Sequence, residues 1–280
     1  MNEKIGSLDY LIIGHITHDL IGEDVILGGT VTYSGVCARN LGYQTGILTS
    51  CEDGLELPEL EGIQVSTIPS KSTTTFENIE TKSGRKQYLH EIAERITVAE
   101  VSNIDQQAKI IHLGPVADEI DREIINVFPN AFIGLTPQGW MRYRDEKNVV
   151  QYKVWEDADF LLQKANAVVL STEDVKGDRK LVNEYAAITE VLAMTEGYNG
   201  AFVYWNGDVR HFAAPKVPVI DPTGAGDIFA AAFFATLYST KDPWISAKRA
   251  VAIASASVSK VGIEGVPTPE EMRALQIDVI

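Results

Sequence analysis

The chain has 280 residues, 45% hydrophobic and 22% charged, an ordinary globular composition with room for one large domain or two small ones. Its 24 Lys and Arg against 39 Asp and Glu leave a net charge of −15, which argues against nucleic-acid or anionic-membrane binding through clustered basic side chains. Cys37 and Cys51 form neither a disulfide framework nor a zinc set, and the polar start MNEKIGSLDY has no signal-peptide core; with no apolar run near the ~20 residues of a membrane span, a cytoplasmic protein is expected.

In chain order, DYLIIG (9–14) reads as a first buried strand, and LIGEDVILGG (20–29) as a further short strand ending in a Gly-Gly turn. GILTS (46–50) is the next strand. Residues 66–97 then alternate with period two around Ser83-Gly84, the pattern of a half-exposed hairpin. KIIHLG (109–114), AFIGLT (131–136), AVVLST (167–172) and VLAMTEG (191–197) are apolar throughout and alternate with helical patterns such as DEIDREIINVF and DRKLVNEYAAIT. That rhythm predicts an α/β fold, a predominantly parallel sheet covered by helices on both faces. Tyr204–Val209 carries an Asn-Gly hairpin signal. Asp242-Pro243 opens a helix expected to run to about Lys260, and Thr268 to Glu271 is a capping box for the last one. No linker is marked, so a single domain over 1–280 is expected, with a small β-strand lid from about 20–29 and 63–98.

One stretch is unlike the rest. In VIDPTGAGDIFAAAFFATLY (219–238), Gly224, Ala225 and Gly226 precede Asp227 and an all-apolar helix. Helix N-termini present unpaired amides and a positive dipole end, and glycines let an anion approach the main chain. An aspartate beside such an anion hole fits a base that takes the proton from an attacking hydroxyl. The alternative from the residues alone is a Gly-rich turn with a capping Asp.

The motif DPTGAGD resembles the second signature of the PfkB/ribokinase family of carbohydrate and nucleoside kinases. LGGTVTYSGVCARNLGYQTGILTSCEDG (27–54) resembles the family's first signature, TEGYNGAFVYWNG (195–207) its Thr-x-Gly-x-x-Gly strand and hairpin, and ASASVSKVGIEGVP (254–267) its C-terminal helix and return. These four motifs stand in the family order, spread from about residue 9 to 270. The resemblance implies the ribokinase-like fold, ATP and Mg²⁺ as cofactors, and a monovalent cation such as K⁺ near Asp221 and Gly262.

By the same resemblance, Asp227 is the catalytic base and Gly224, Ala225 and Gly226 form the anion hole. Thr195, Gly197, Gly200, Thr223 and Gly262 bind the nucleotide, with adenine near 254–262. The acceptor falls to Asp19, the Gly28-Gly29 turn, Tyr33 and Gln138. Three segments depart from the family pattern. Tyr33 stands where a sugar-contacting Asn is common, as an apolar wall or a hydroxyl donor. Ser171-Thr-Glu-Asp174 replaces Asn-x-x-Glu, leaving Asp174 or Glu173 as the metal-organising carboxylate. TPQGWMR (136–142) replaces Asp-x-Asn-x-Arg, so that Gln138, Trp140 and Arg142 face the acceptor, or Trp140 is core. No metal spacing links the five histidines. Phe76 or Asn78 could cover the acceptor.

The expected function is ATP-dependent phosphorylation of a hydroxyl on a small neutral polyol, a sugar or a cyclitol such as inositol. A nucleoside kinase, with a base stacked on Tyr33, is the alternative; a family member that binds ligand without turnover is a third. No nucleic-acid or membrane partner is expected. A homodimer through the lid and a monomer shielded by it stand as alternatives.

Overall fold

The computed structural model describes residues 8–81, 84–102 and 107–275. In chain order it runs β1 (Tyr10–Ile13), β2 (Thr17–Ile21), β3 (Asp24–Gly28), α1 (Thr30–Asn40), β4 (Thr45–Glu52), β5 (Gln64–Ser70), β6 (Thr74–Thr81), β7 (Gly84–Glu91) and α2 (Val98–Val101). It continues with β8 (Ile110–Leu113), β9 (Phe132–Leu135), β10 (Arg142–Arg144), β11 (Val150–Tyr152), α3 (Ala158–Leu162), β12 (Ala167–Ser171), α4 (Arg179–Ala186) and β13 (Val191–Thr195). The last elements are β14 (Ala201–Trp205), β15 (Asp208–Phe212), α5 (Ala225–Thr240), α6 (Pro243–Ser257) and α7 (Pro269–Ala274).

Nine strands form the main sheet, in the order β15-β14-β13-β12-β9-β8-β1-β4-β5. All its pairs are parallel except β13–β14 and β14–β15. Successive residues of β1 feed opposite faces. Tyr10 and Ile12 join α1, α5 and α6 in one apolar cluster, while Leu11 and Ile13 join α3, α4 and the Trp140–Trp155 pair in the other. This doubly covered sheet explains why its strands read as unbroken apolar runs. The Asn206-Gly207 turn has φ of 51° and 77° at its two residues, the left-handed pair that joins β14 to β15.

A second sheet, β3-β2-β6-β7, stands off the main one. The chain enters it from β1, and His15 sits at that junction, fully buried. Its Nε2 donates to the Glu94 carbonyl at 2.9 Å, and its Nδ1 accepts from the Thr74 hydroxyl at 2.7 Å. Thr74 Oγ1 in turn accepts the Ala93 amide at 2.9 Å. The buried Glu119 carboxylate accepts the amides of His15, Val116 and Ala117 at 2.7–3.0 Å. One imidazole and one carboxylate thus gather the strands that leave for the small sheet and return.

Three segments differ from the sequence reading. Residues 64–70 add to the edge of the main sheet through β4, so the hairpin begins only at Thr74. Ser83 of its expected turn lies outside the described residues. The DEIDREIINVF helix shrinks to a 3₁₀ stretch, Arg122–Asn126. Ile120 is held extended in a bridge to Ile96, and Phe128 precedes a proline, so a longer helix has room at neither end. The helix opened by Asp242-Pro243 ends at Ser257, three residues short of Lys260. The Thr268–Glu271 capping box is formed, as its spacing predicts.

Candidate active site

The helix α5 begins at the glycine motif. Gly224 is its N-cap with φ +75°, a left-handed residue, and a Cβ there would stand 2.2 Å from the Tyr33 ring. Only glycine meets both demands. Gly226 differs: it is exposed, and a Cβ would meet nothing within 4 Å. The amides of Gly226 and Asp227 have no hydrogen-bond partner among the described residues. Open main-chain donors therefore face outward at the positive end of a 16-residue helix. Asp221 shapes the loop before it, accepting the amides of Thr223 at 2.9 Å and Gly262 at 2.8 Å. The C-terminal return is thereby tied to the glycine loop.

Asp227, in the first turn of α5, is half-buried. Burial pushes its pKa from the ordinary 3.8 up to about 6. A hydrogen bond from Thr30 opposes that rise, the Asp174 and Asp19 carboxylates add to it, and the Arg142 guanidinium offsets part of it. The carboxylates of Asp19 on β2 and Asp174 after β12 thus lie near enough to act on Asp227 in α5. Asp19 sits on β2 with Thr17 Oγ1 donating to it at 3.1 Å. A Cβ on Gly28 would stand 2.3 Å from Asp19 Oδ2, so the Gly-Gly turn leaves the space this carboxylate fills.

Asp174 is 7% exposed. Its Oδ2 accepts the Ser171 amide and hydroxyl, both at 2.8 Å; its Oδ1 lies 3.4 Å from Gln138 Nε2 and 3.6 Å from Arg142 Nη2. Gln138 therefore reaches the site through Asp174. Trp140 is core, stacked on Trp155 at 5.9 Å with its Nε1 donating to the Ile120 carbonyl. Thr195 ends β13 with its carbonyl accepting the Thr172 amide at 3.0 Å. Gly197 is exposed and Gly200 buried, both with positive φ, and Glu196 between Thr195 and Gly197 pairs with Arg179.

Residues 155–270 match the family described as pfkB family carbohydrate kinase. A pyrophosphate-dependent kinase in the ribokinase family, complexed with a pyrophosphate analogue and myo-inositol, superposes with a TM-score of 0.81 at 20% identity, over 95% of this chain and 99% of that one. The chain therefore has the ribokinase-like fold, and its residues 155–270 carry the pfkB match. The curated relatives that it resembles are kinases by name. Among curated relatives, a cytidine kinase of Thermococcus kodakarensis is 24% identical over 254 residues, 81% of this chain and 88% of that one. A 2-dehydro-3-deoxygluconokinase of Thermoproteus tenax is 41% identical over 91 residues, 31% of this chain and 27% of the relative.

Tyr33 and the 171–174 segment have surroundings that the sequence did not give. Tyr33 is 2% exposed, its ring lying against Gly224, and burial raises its hydroxyl pKa, with Asp19, Asp221 and Asp227 adding to the effect. It floors the glycine loop, because α1 packs directly beneath α5: Ser34 Oγ donates to the Asp227 carbonyl at 3.0 Å. The metal assignment also meets resistance. Asp174 has both oxygens engaged by Ser171, Gln138 and Arg142, and Glu173 is exposed. No three His, Cys, Asp or Glu among the described residues are grouped to hold an ion. These side chains do not fit a protein cage for magnesium.

Two contributors were not singled out in the sequence. Thr30 follows the Gly-Gly turn directly and reaches Asp227; its place after that turn was the available signal. Gln87 on β7 accepts from Arg142 Nη1 at 3.2 Å, and period-two alternation gives its face but not its partner.

Proposed function

We propose that this chain is a PfkB-family kinase that transfers the γ-phosphoryl group of ATP to a hydroxyl of a small neutral polyol, with Asp227 as general base. The observation that carries the reading is the open pair of amides at Gly226 and Asp227 beside a half-buried carboxylate whose pKa is about 6. A base with that pKa is ionised at neutral pH yet basic enough to accept a proton as the hydroxyl oxygen attacks phosphorus. The amides of the glycine loop and the dipole of α5 stabilise charge on the transferred group.

Charge supports a neutral acceptor. The charges that act on Asp227 are the Asp174 and Asp19 carboxylates and the Arg142 guanidinium, so a phosphorylated or carboxylated acceptor would face net repulsion. Asp19 accepts hydrogen bonds from acceptor hydroxyls, which suits a polyol. The nucleoside alternative rested on an aromatic face at Tyr33, which the glycine loop covers.

For the donor, Val219, Ile220 and Val261 are 56–63% exposed beside the glycine loop, where the Ile220 and Asp221 amides run along the Val258 carbonyl. Exposed apolar side chains at that edge suit an adenine face and do nothing for bare pyrophosphate. In this reading Thr195, Gly197, Gly200, Thr223 and Gly262 serve as the donor track, of which Thr223 and Gly262 are held together by Asp221. Magnesium belongs to this reading as a companion of the donor's phosphates, which need its charge.

The test is a coupled turnover assay with ATP or pyrophosphate as donor, against a panel of cyclitols, sugars and nucleosides, with Asp227→Asn alongside. Turnover with ATP and a polyol, reduced about 10²–10⁴-fold in Asp227→Asn, is expected. Turnover with pyrophosphate while ATP is inert would refute the donor, turnover with nucleosides alone the acceptor. Near-normal turnover by Asp227→Asn would remove its role as base.

A further inference from the structure

Besides carrying Asp19 on β2, the small sheet reaches this group of carboxylates through a line of polar side chains on β6 and β7. Asn78 on β6 and Gln87 on β7 stand directly opposite each other, and Gln87 Nε2 donates to Asn78 Oδ1 at 3.2 Å. The other end of the same amide, Gln87 Oε1, accepts from Arg142 Nη1 at 3.2 Å. Arg142 Nη2 then lies 3.6 Å from Asp174 Oδ1, which is a charge contact longer than a hydrogen bond. Gln87 Oε1 thus lies nearer to the guanidinium than Asp174 Oδ1 does. Arg142 is also the group whose charge opposes Asp174 and Asp19 in acting on Asp227.

Gln87 is not needed to fasten the sheet to the body. The main chain does that: the Leu89 amide donates to the Asn148 carbonyl at 2.8 Å, and Tyr88 bridges Val149. Arg144 Nη1 adds a bond to the His90 carbonyl at 2.9 Å. An arginine side chain has about 2 kcal/mol of rotamer freedom to lose, so a fixed amide that aims its fork has a definite effect.

We infer that Gln87, backed by Asn78, is a positioning residue for phosphoryl transfer: it holds the Arg142 guanidinium beside Asp174 and Asp227, so the catalytic charges are balanced only when the small sheet is seated on the 142–152 hairpin. The inference rests on the reading of Asp227 as base. It makes the small sheet part of the electrostatics of transfer as well as a cover.

A double-mutant cycle on the full chain tests it. Gln87→Leu removes both hydrogen bonds at similar size, and kcat should fall about tenfold, the low end for a lost bond to a charged group, with donor KM unchanged. Gln87→Glu keeps an acceptor oxygen toward Arg142 and should restore kcat to within about threefold of the parent. In an Arg142→Met background, Gln87→Leu should cost nothing further. A tenfold cost that persists without Arg142, or a Glu variant as poor as Leu, would overturn the proposal and leave Gln87 a structural residue. Unchanged kcat in Gln87→Leu would overturn it outright. Asp227→Asn, measured in parallel, separates the two readings: if it turns over normally the base assignment fails, whereas its loss without Gln87–Arg142 coupling condemns the positioning role alone.

Discussion

Replacing Asp227 by Asn should make the protein more stable while making it a poor enzyme. In the folded chain this carboxyl has a pKa of about 6 against an ordinary 3.8, raised chiefly by burial. A carboxyl whose folded pKa lies above its unfolded value favours folding only in its protonated form. As pH rises from 3.8 through 6, the folded state therefore loses stability relative to the unfolded state, and above pH 6 the whole cost is present. A rise of about two pH units corresponds to about 3 kcal/mol. Asp227 is half-buried, and solvent screening cuts this to about 1–2 kcal/mol. Asparagine keeps the shape and an acceptor oxygen for Thr30 without the charge. For a chain of this size each kcal/mol moves Tm by about 2–4 °C, so Asp227→Asn should melt about 2–8 °C higher at pH 7–8. The two proteins should converge towards pH 4, where the parent carboxyl is protonated. Scanning calorimetry of the ligand-free proteins from pH 4 to 8 reads this directly. An Asn variant that melts at or below the parent across pH 6.5–8 would show that the carboxylate is not held against its preference, and the argument from burial would fail.

Gly226→Ala should fold normally and melt at an equal or slightly higher temperature, since its Cβ meets nothing and alanine favours the helix by up to about 1 kcal/mol. Its kcat/KM should nevertheless fall about 10²-fold, because the methyl stands where the transferred group approaches; unaltered kinetics would make the loop an ordinary turn. Asp19→Asn should raise acceptor KM about tenfold or more with donor KM unmoved, and an effect confined to the donor would reassign Asp19. Glu119→Gln, which places an NH₂ among amides that now all donate to a carboxylate, should cost about 1–3 kcal/mol in chemical denaturation; an unchanged midpoint would remove Glu119 from the junction between the sheets.

The parallel sheet was legible because six of its strands, buried on both faces, are short and mostly apolar runs set between helical patterns. The glycine loop was legible because no helix or strand tolerates Gly-Ala-Gly before an apolar run without a reason. What stayed hidden were long-range pairings. Tyr33 reads equally well as wall or floor until α1 is laid under α5, and only then does Gly224 claim its ring face. Asp174 keeps the look of a metal ligand in sequence, since nothing local announces that Arg142, 32 positions earlier, will come within 3.6 Å of it. Residues 64–70 alternate like the hairpin that follows, and their membership of the main sheet is decided by pairing with β4.

The apolar underside of the small sheet has one further consequence. Phe76 and Leu89 are buried with Val116, and Ala117 and Val150 complete that cluster, so the sheet shares its hydrophobic packing with the body. A graft that exchanges β2–β3 and β6–β7 with those of a relative would strand two greasy side chains over a foreign surface. Chimaeras aimed at new acceptors should therefore carry the 142–152 hairpin and the 115–119 loop along with the strands, as one unit of inheritance.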